Sequence, residues 1–184
     1  MTQRSLLVRD VTHSQLKNDA QFSPPVWKIL AGRGVSSFAE TDYKLSRMLP
    51  VDAIRNLPEA AKLLAATIQQ KKQILIFGDY DADGATSTAL CVRALTLMGH
   101  HNVSYLMPDR FINGYGLSVS IARKIAEAKP DCVITVDNGI ASIDGIALLR
   151  AQNIDVIVTD HHLPADQFSN ANLTFNQITC PHPA

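Results

Sequence analysis

A parallel α/β sheet with helices on both faces, preceded by a short helical N-terminal segment, is the fold this sequence predicts. Two observations predict it. Four short runs, Gln73–Phe77, Val103–Met107, Cys132–Val136 and Ile154–Val158, are almost continuously apolar and rich in Ile and Val. Amphipathic segments of helix length separate them. Such runs mark strands buried on both faces, and their alternation with helices marks βαβ units.

Along the chain, residues 1–56 are polar and broken by Ser23–Pro25 and Gly32–Gly34, which suits short helices in an extension. Trp27 reads as the core anchor of this segment rather than a base-stacking platform. Leu57–Lys72 is an amphipathic helix with Pro58 in its first turn, where the missing N–H costs nothing. The first strand, Gln73–Phe77, is followed by a helix from about Ala85 to Met98. The His pair in Gly99–His101 reads as a solvated turn. After the second strand, helices over Leu117–Ala128 and Ser142–Ala151 bracket the third, and the fourth ends at Val158. Right-handed crossovers bring every strand C-terminus to one edge, where α/β proteins bind ligands.

The 184 residues suffice for one core of ordinary size. Apolar residues make up 46% and charged residues 18%, and no apolar run approaches bilayer length. Neither a membrane nor a signal peptide is indicated, so the cytoplasm is the expected location. Cys91, Cys132 and Cys180 form no C-x-x-C pair, and the first two read as buried reduced thiols. Seventeen basic and seventeen acidic residues cancel. Residues 1–56 hold eight Lys/Arg against five Asp/Glu, and the remainder nine against twelve. There is no basic stripe of the nucleic-acid-binding kind, and the acidic part suits a metal-dependent site.

Chemistry concentrates immediately after the strands. Asp79, Asp81 and Asp83 follow the first, Asp137 the third, and Asp160, His161 and His162 the fourth. Unpaired carboxylates packed this closely repel one another, so the cluster calls for a counter-charge. Carboxylate oxygens with imidazole suit Mn²⁺ or Mg²⁺ better than a thiolate zinc site. Taken singly, Asp137 reads as a helix cap or turn residue. "DYDADG" also fits the start of a calcium-binding EF-hand loop, but the twelfth position is Leu90 rather than Glu, and the loop follows a strand. A dehalogenase-type phosphatase loop, D-x-D-G-T, is a weaker match, because "DADGAT" displaces the Thr by one. P-loop and dinucleotide fingerprints are absent.

"DYDADG", "DNG" and "TDHH", in that order, resemble the motifs of the DHH phosphoesterase superfamily. "ILAGRGV" (Ile29–Val35), "FGDYDADGATSTAL" (Phe77–Leu90) and "PDRFINGYGLS" (Pro108–Ser118) resemble its RecJ family of single-strand-specific exonucleases. The resemblance covers about residues 20–168. It implies a DHH-type domain that removes nucleotides from the 5′ end of single-stranded DNA in recombination and repair, using two Mn²⁺ or Mg²⁺ ions. It makes Asp79, Asp81 and Asp83 ligands of the first motif and Asp137 a bridge between metals. Asp160 and His161 then complete or support the metal shell, and His162 contacts the scissile phosphate or assists the leaving group. Asp137, His161 and His162 are thus the catalytic candidates. The partners implied are single-stranded DNA and, as working companions, a single-strand-binding protein or helicase.

Around this centre, Thr86, Ser87 and Thr88 open the expected helix, where free N–H groups favour a phosphate or simply cap the helix. Arg110 is a candidate for a DNA phosphate or an ordinary surface arginine, and Gly114 and Gly116 shape its loop. Family members continue beyond "DHH" into a fourth motif with another metal-binding Asp, a second nucleic-acid-binding domain and an OB-type domain. The domain expectation is an extension over 1–56, an incomplete DHH domain over 57–168 and an atypical tail over 169–184. A frameshift or early stop would account for such a tail. A chain ending there leaves the second metal short of a ligand and is expected to be weakly active or inactive. The alternatives are a non-catalytic metal- or nucleotide-binding remnant, and a DHH phosphoesterase acting on short oligonucleotides.

Overall fold

Five strands among the described residues, β1 (Ile74–Gly78), β2 (Val103–Leu106), β3 (Cys132–Val136), β4 (Asp155–Asp160) and β5 (Leu173–Asn176), form one sheet in the order β2-β1-β3-β4-β5. All four pairings are parallel. The computed structural model describes residues 9–11, 16, 22–48, 50, 51, 54–109, 111, 112, 114–163, 171 and 173–176. It divides into two units, Met1–Leu49 and Pro50–Ala184.

In the first unit, α1 (Pro24–Gly32) begins at the proline pair, and short 3-10 turns follow at Phe38–Thr41 and Leu45–Arg47. Ser37 and Glu40 form a capping box at the first of these turns. Trp27 is buried.

Among the described residues the second unit carries the sheet and four helices: α2 (Leu57–Gln69), α3 (Ala82–Leu97), α4 (Val119–Glu127) and α5 (Ile143–Ala151). Side chains alternate across each strand, and this divides the core in two. Leu75, Phe77, Val133, Val156 and Val158 pack with α4 and α5 through Ile121, Ile125, Ile146 and Leu149. On the other face Ile74, Ile76, Ile134 and Ile157 pack with α2 and α3 through Ala60 and Leu95. Burial of β1, β3 and β4 on both faces explains why their sequences read as unbroken apolar runs, whereas the edge strand β2 is only partly buried.

The crossover helix after β1 lies on one face and the helix after β3 on the other. β1 leads outward to β2 while β3 leads the opposite way to β4. The chain therefore reverses direction between β1 and β3, and a crevice opens there beyond the strand C-termini.

Four local features differ from the sequence expectation. α3 starts at Ala82 rather than near Ala85. At its other end Gly99 takes a left-handed φ of 81°, with Gly99 N–H donating to Thr96 O and His100 N–H to Leu95 O. That Schellman geometry turns His100 inward, so it is buried rather than solvated, and its Nε2 lies 3.1 Å from Asn102 O. Cys132 is buried as expected, but Cys91 is only partly buried; Cys180 lies outside the described residues. Finally, Leu173–Asn176 in the tail pairs in parallel with β4 as a fifth strand.

α5 approaches the loop before α4 through Gly145, where an added Cβ would overlap the Leu117 carbonyl oxygen. Gly145→Ala is expected to destabilise the fold by about 1–3 kcal/mol through overpacking, read from the urea midpoint at unchanged m-value.

Candidate metal and phosphate site

Register alone brings three aspartates into a row. Gly78 is level with Val136 and Val136 with Thr159, so Asp79, Asp137 and Asp160 each emerge one residue later on adjacent strands. Neighbouring strands lie about 4.8 Å apart, which sets the spacing of the row.

Asp79 is buried, and its Oδ1 accepts from the Tyr80 N–H at 2.8 Å. Asp81 is the N-cap of α3, its Oδ1 accepting from Asp83 N–H and Gly84 N–H, both at 3.0 Å. The Gly84 bond is the main reason its carboxyl is held below the ordinary range. A Cβ on Gly84 would overlap the main chain of Asp79, and one on Gly78 would overlap the Thr88 hydroxyl. Two glycines thus let the helix start sit directly on the end of β1.

Asp137 is the junction of the site. It takes a left-handed φ of 62°, and its Oδ1 lies 2.9 Å from His161 Nε2. Burial first, and then the charge of Asp81, push its carboxyl above the ordinary range. The next residue, Asn138, is fully buried and donates from Nδ2 to Phe77 O at 3.2 Å and Val136 O at 2.9 Å, tying the ends of β1 and β3 together.

Asp160 acts as an acceptor hub. Its Oδ2 takes Ile140 N–H at 2.9 Å, and its Oδ1 takes His161 N–H at 2.7 Å and His162 N–H at 3.0 Å. The same Oδ1 lies 2.8 Å from His162 Nδ1, and this bond is the largest cause of the raised pKa of His162. Tyr115, on the loop before α4, lies 2.8 Å from that Nδ1 and donates to Asp137 O at 3.4 Å. Its phenol is pushed well above its ordinary pKa by burial and then by the surrounding carboxylates, Asp160 foremost.

Two groups of ligand atoms each fall within 4.8 Å of one another: Asp79, Asp81 and Asp137, and Asp137, His161 and His162. Asp137 belongs to both. Of the remaining metal candidates, Asp83 lies outside both groups, in the first turn of α3. Asp160 is also outside them, with both oxygens committed to the hydrogen bonds above. A cleft of about 710 Å³ opens here, lined by Asp83, Ser87, Asp137, Asp160 and His161 with an apolar floor that includes Ile134 and Ile157.

The phosphate candidates on α3 need correction. Because the helix begins at Ala82, Thr86, Ser87 and Thr88 lie inside it and offer no free N–H groups. Two of the hydroxyls also bond back to the helix main chain: Thr86 Oγ1 donates to Ala82 O at 2.8 Å and Ser87 Oγ to Asp83 O at 2.6 Å. Arg110 lies outside the described residues. Tyr115 and Asn138 were not singled out from sequence, although each sits within a quoted motif, flanked by the glycines of "NGYG" or as the Asn of "DNG".

The family model for the DHH family, N-terminal domain, matches residues 73–182. The chain belongs to the DHH family. The match runs past residue 168, where the sequence reading ends the domain, and it includes β5. This DHH chain is 41% identical over 163 residues to the single-stranded-DNA-specific exonuclease RecJ of Haemophilus influenzae, covering 85% of this chain and 28% of that protein. Its counterpart in Escherichia coli is 40% identical over 157 residues, covering 85% and 27%. A crystal structure of exonuclease RecJ bound to manganese superposes with a TM-score of 0.67 at 37% identity, covering 74% of this chain and 34% of that one. The DHH chain thus spans under a third of these curated relatives.

Asn138→Ala would leave two strand-end carbonyls without their donor, and is expected to cost about 1–3 kcal/mol of stability. A chemical denaturation curve measures it.

Proposed function

We propose that the chain carries the catalytic centre of a metal-dependent phosphodiesterase that acts on single-stranded DNA as a 5′-to-3′ exonuclease. The observation that carries this reading is the sharing of Asp137 between two groups of metal-capable side chains. The naming of the relatives as single-stranded-DNA-specific exonucleases supports the substrate and reaction.

The donor set fits Mn²⁺ or Mg²⁺. All six ligand candidates named from sequence offer carboxylate oxygen or imidazole nitrogen. Cys91, a thiol that lines the cleft, has its pKa raised by burial, which makes it a poor ligand. Three carboxylates gathered within 4.8 Å, one of them pushed up by burial and then by its neighbour Asp81, also form a site that a cation would relieve.

Asp79, Asp81 and Asp137 would hold one ion, and Asp137 with His161 the other. Bound there, such ions lower the pKa of a coordinated water and neutralise charge on phosphoryl oxygens during in-line attack. The protein's own groups do the positioning. Asp81 keeps its carboxylate fixed by capping α3, and Asp137 is fixed by its turn and by His161. Asp160 orients both histidines from beneath, leaving His162 to meet the phosphate or the departing oxygen through Nε2. Asp83 extends the acidic wall of the cleft. The same reading gives a cytoplasmic location and admits a single-strand-binding protein or helicase as a working partner.

Asp81→Asn separates metal binding from helix capping, because Asn caps as well as Asp. Mn²⁺ affinity measured by titration calorimetry is expected to fall by more than about 100-fold, beyond the 10–100-fold range of residues that merely support a ligand. Release of mononucleotides from 5′-labelled single-stranded DNA is expected to be Mn²⁺-dependent and to vanish with the same substitution. Metal binding without cleavage by the unsubstituted chain would favour a non-catalytic binding role. Unchanged affinity in Asp81→Asn would remove Asp81 from the site.

For Asp160→Ala, loss of the hub is expected to lower Mn²⁺ affinity by about 10–100-fold, although Asp160 belongs to neither ligand group.

A further inference from the structure

His162 is gripped at one nitrogen from two directions. Its Nδ1 lies 2.8 Å from Asp160 Oδ1 and 2.8 Å from the Tyr115 hydroxyl oxygen. Asp160 Oδ1 already accepts two main-chain N–H groups, so it behaves as a carboxylate, which can only accept. The hydrogen therefore sits on Nδ1, and the Tyr115 oxygen shares it. The Tyr115 hydroxyl proton then has the Asp137 carbonyl as its acceptor at 3.4 Å. In the neutral ring this arrangement puts the lone pair on Nε2.

One acceptor on Nδ1 would select that tautomer but leave the ring able to swing about the bond. A second acceptor, borne by a different element, fixes the plane. Tyr115 also sets its ring edge-on to His162, with centroids 5.3 Å apart and planes at 69°. The loop is built to deliver it: Gly114 and Gly116, on either side, take left-handed φ values of 70° and 75°. Leu117 N–H then anchors the loop to Ser142 Oγ at 2.9 Å.

We infer that Tyr115 is a positioning residue that fixes the His162 ring with Nε2 directed to the phosphate and steadies the Asp137 main chain through its carbonyl. This role rests on the hydrolytic reading above for its purpose, but its geometry can be tested without it. A single side chain from the loop after β2 thereby joins the fourth-strand histidine to the third-strand aspartate.

The test is Tyr115→Phe in the full 184-residue chain, a change that keeps the ring and its packing. Nitrogen–proton NMR of the His162 imidazole is expected to show the Nδ1–H tautomer in the unsubstituted protein. In Tyr115→Phe that proton should exchange faster with solvent, with the melting temperature unchanged. Where cleavage is measured, kcat is expected to fall about 10-fold, with KM held within about twofold. An Nε2–H tautomer in the unsubstituted protein, or an unaltered Nδ1–H exchange rate in Tyr115→Phe, would overturn the assignment. Absence of Mn²⁺-dependent cleavage would sink the hydrolytic reading alone, since the NMR comparison still decides whether Tyr115 holds the ring.

Discussion

The site depends on a backbone contact too close for any side chain larger than hydrogen. The first turn of α3 rests on the main chain of Asp79, with Gly84 on one side of the contact and Gly78 on the other. This lets a helix begin almost at the last residue of a buried strand. Asp81 can then cap α3 while its carboxylate stays within reach of Asp79 and Asp137. A helix set back by even the width of a methyl group would carry Asp81 away from that row. The acidic cluster follows from packing as much as from the choice of acidic residues.

Parallel register supplies the rest of the arrangement. Asp79, Asp137 and Asp160 leave their strands at one level, yet they do different work. Asp79 and Asp137 remain available as ligands. Asp160, one strand further out, uses both oxygens on the loops and on the two histidines that follow it. This division costs little because the sheet already fixes the three backbones. The side chains need only choose between a cation and neighbouring N–H groups. It also keeps repulsion local: the carboxylate most occupied with N–H donors lies farthest along the row from Asp79.

Much of this was legible in the sequence because the signals were local. Apolar runs identified β1 to β4, and Asp or Asp-His directly after three of them marked the edge. The start of α3 was not legible: Gly84 reads as a breaker, and only its contact with Asp79 explains a glycine inside the first turn. β5 is not legible because four residues, Leu173–Asn176, carry little pattern, and pairing with β4 is what makes them a strand. The buried His100 follows from a helix-ending motif that draws the residue after Gly99 back over the helix. Tyr115 escaped notice because its partner is 47 residues away, and no local spacing encodes that pairing. For Asp160 the sequence leaves open whether it completes or supports the metal shell, because the N–H groups that its two oxygens accept from come from loops no local spacing describes.

The left-handed backbone at Asp137 has an evolutionary consequence. Glycine, asparagine and aspartate are the residues that most readily accept such a φ, and of these only aspartate brings an anion. Drift at this position is therefore channelled. Replacements the turn tolerates remove the charge while leaving the architecture standing, and bulky or β-branched ones strain the turn itself. Among descendants of this domain, loss of chemistry and loss of structure should leave different marks at residue 137. Asn or Gly there would record a lineage that kept the scaffold after giving up the carboxylate.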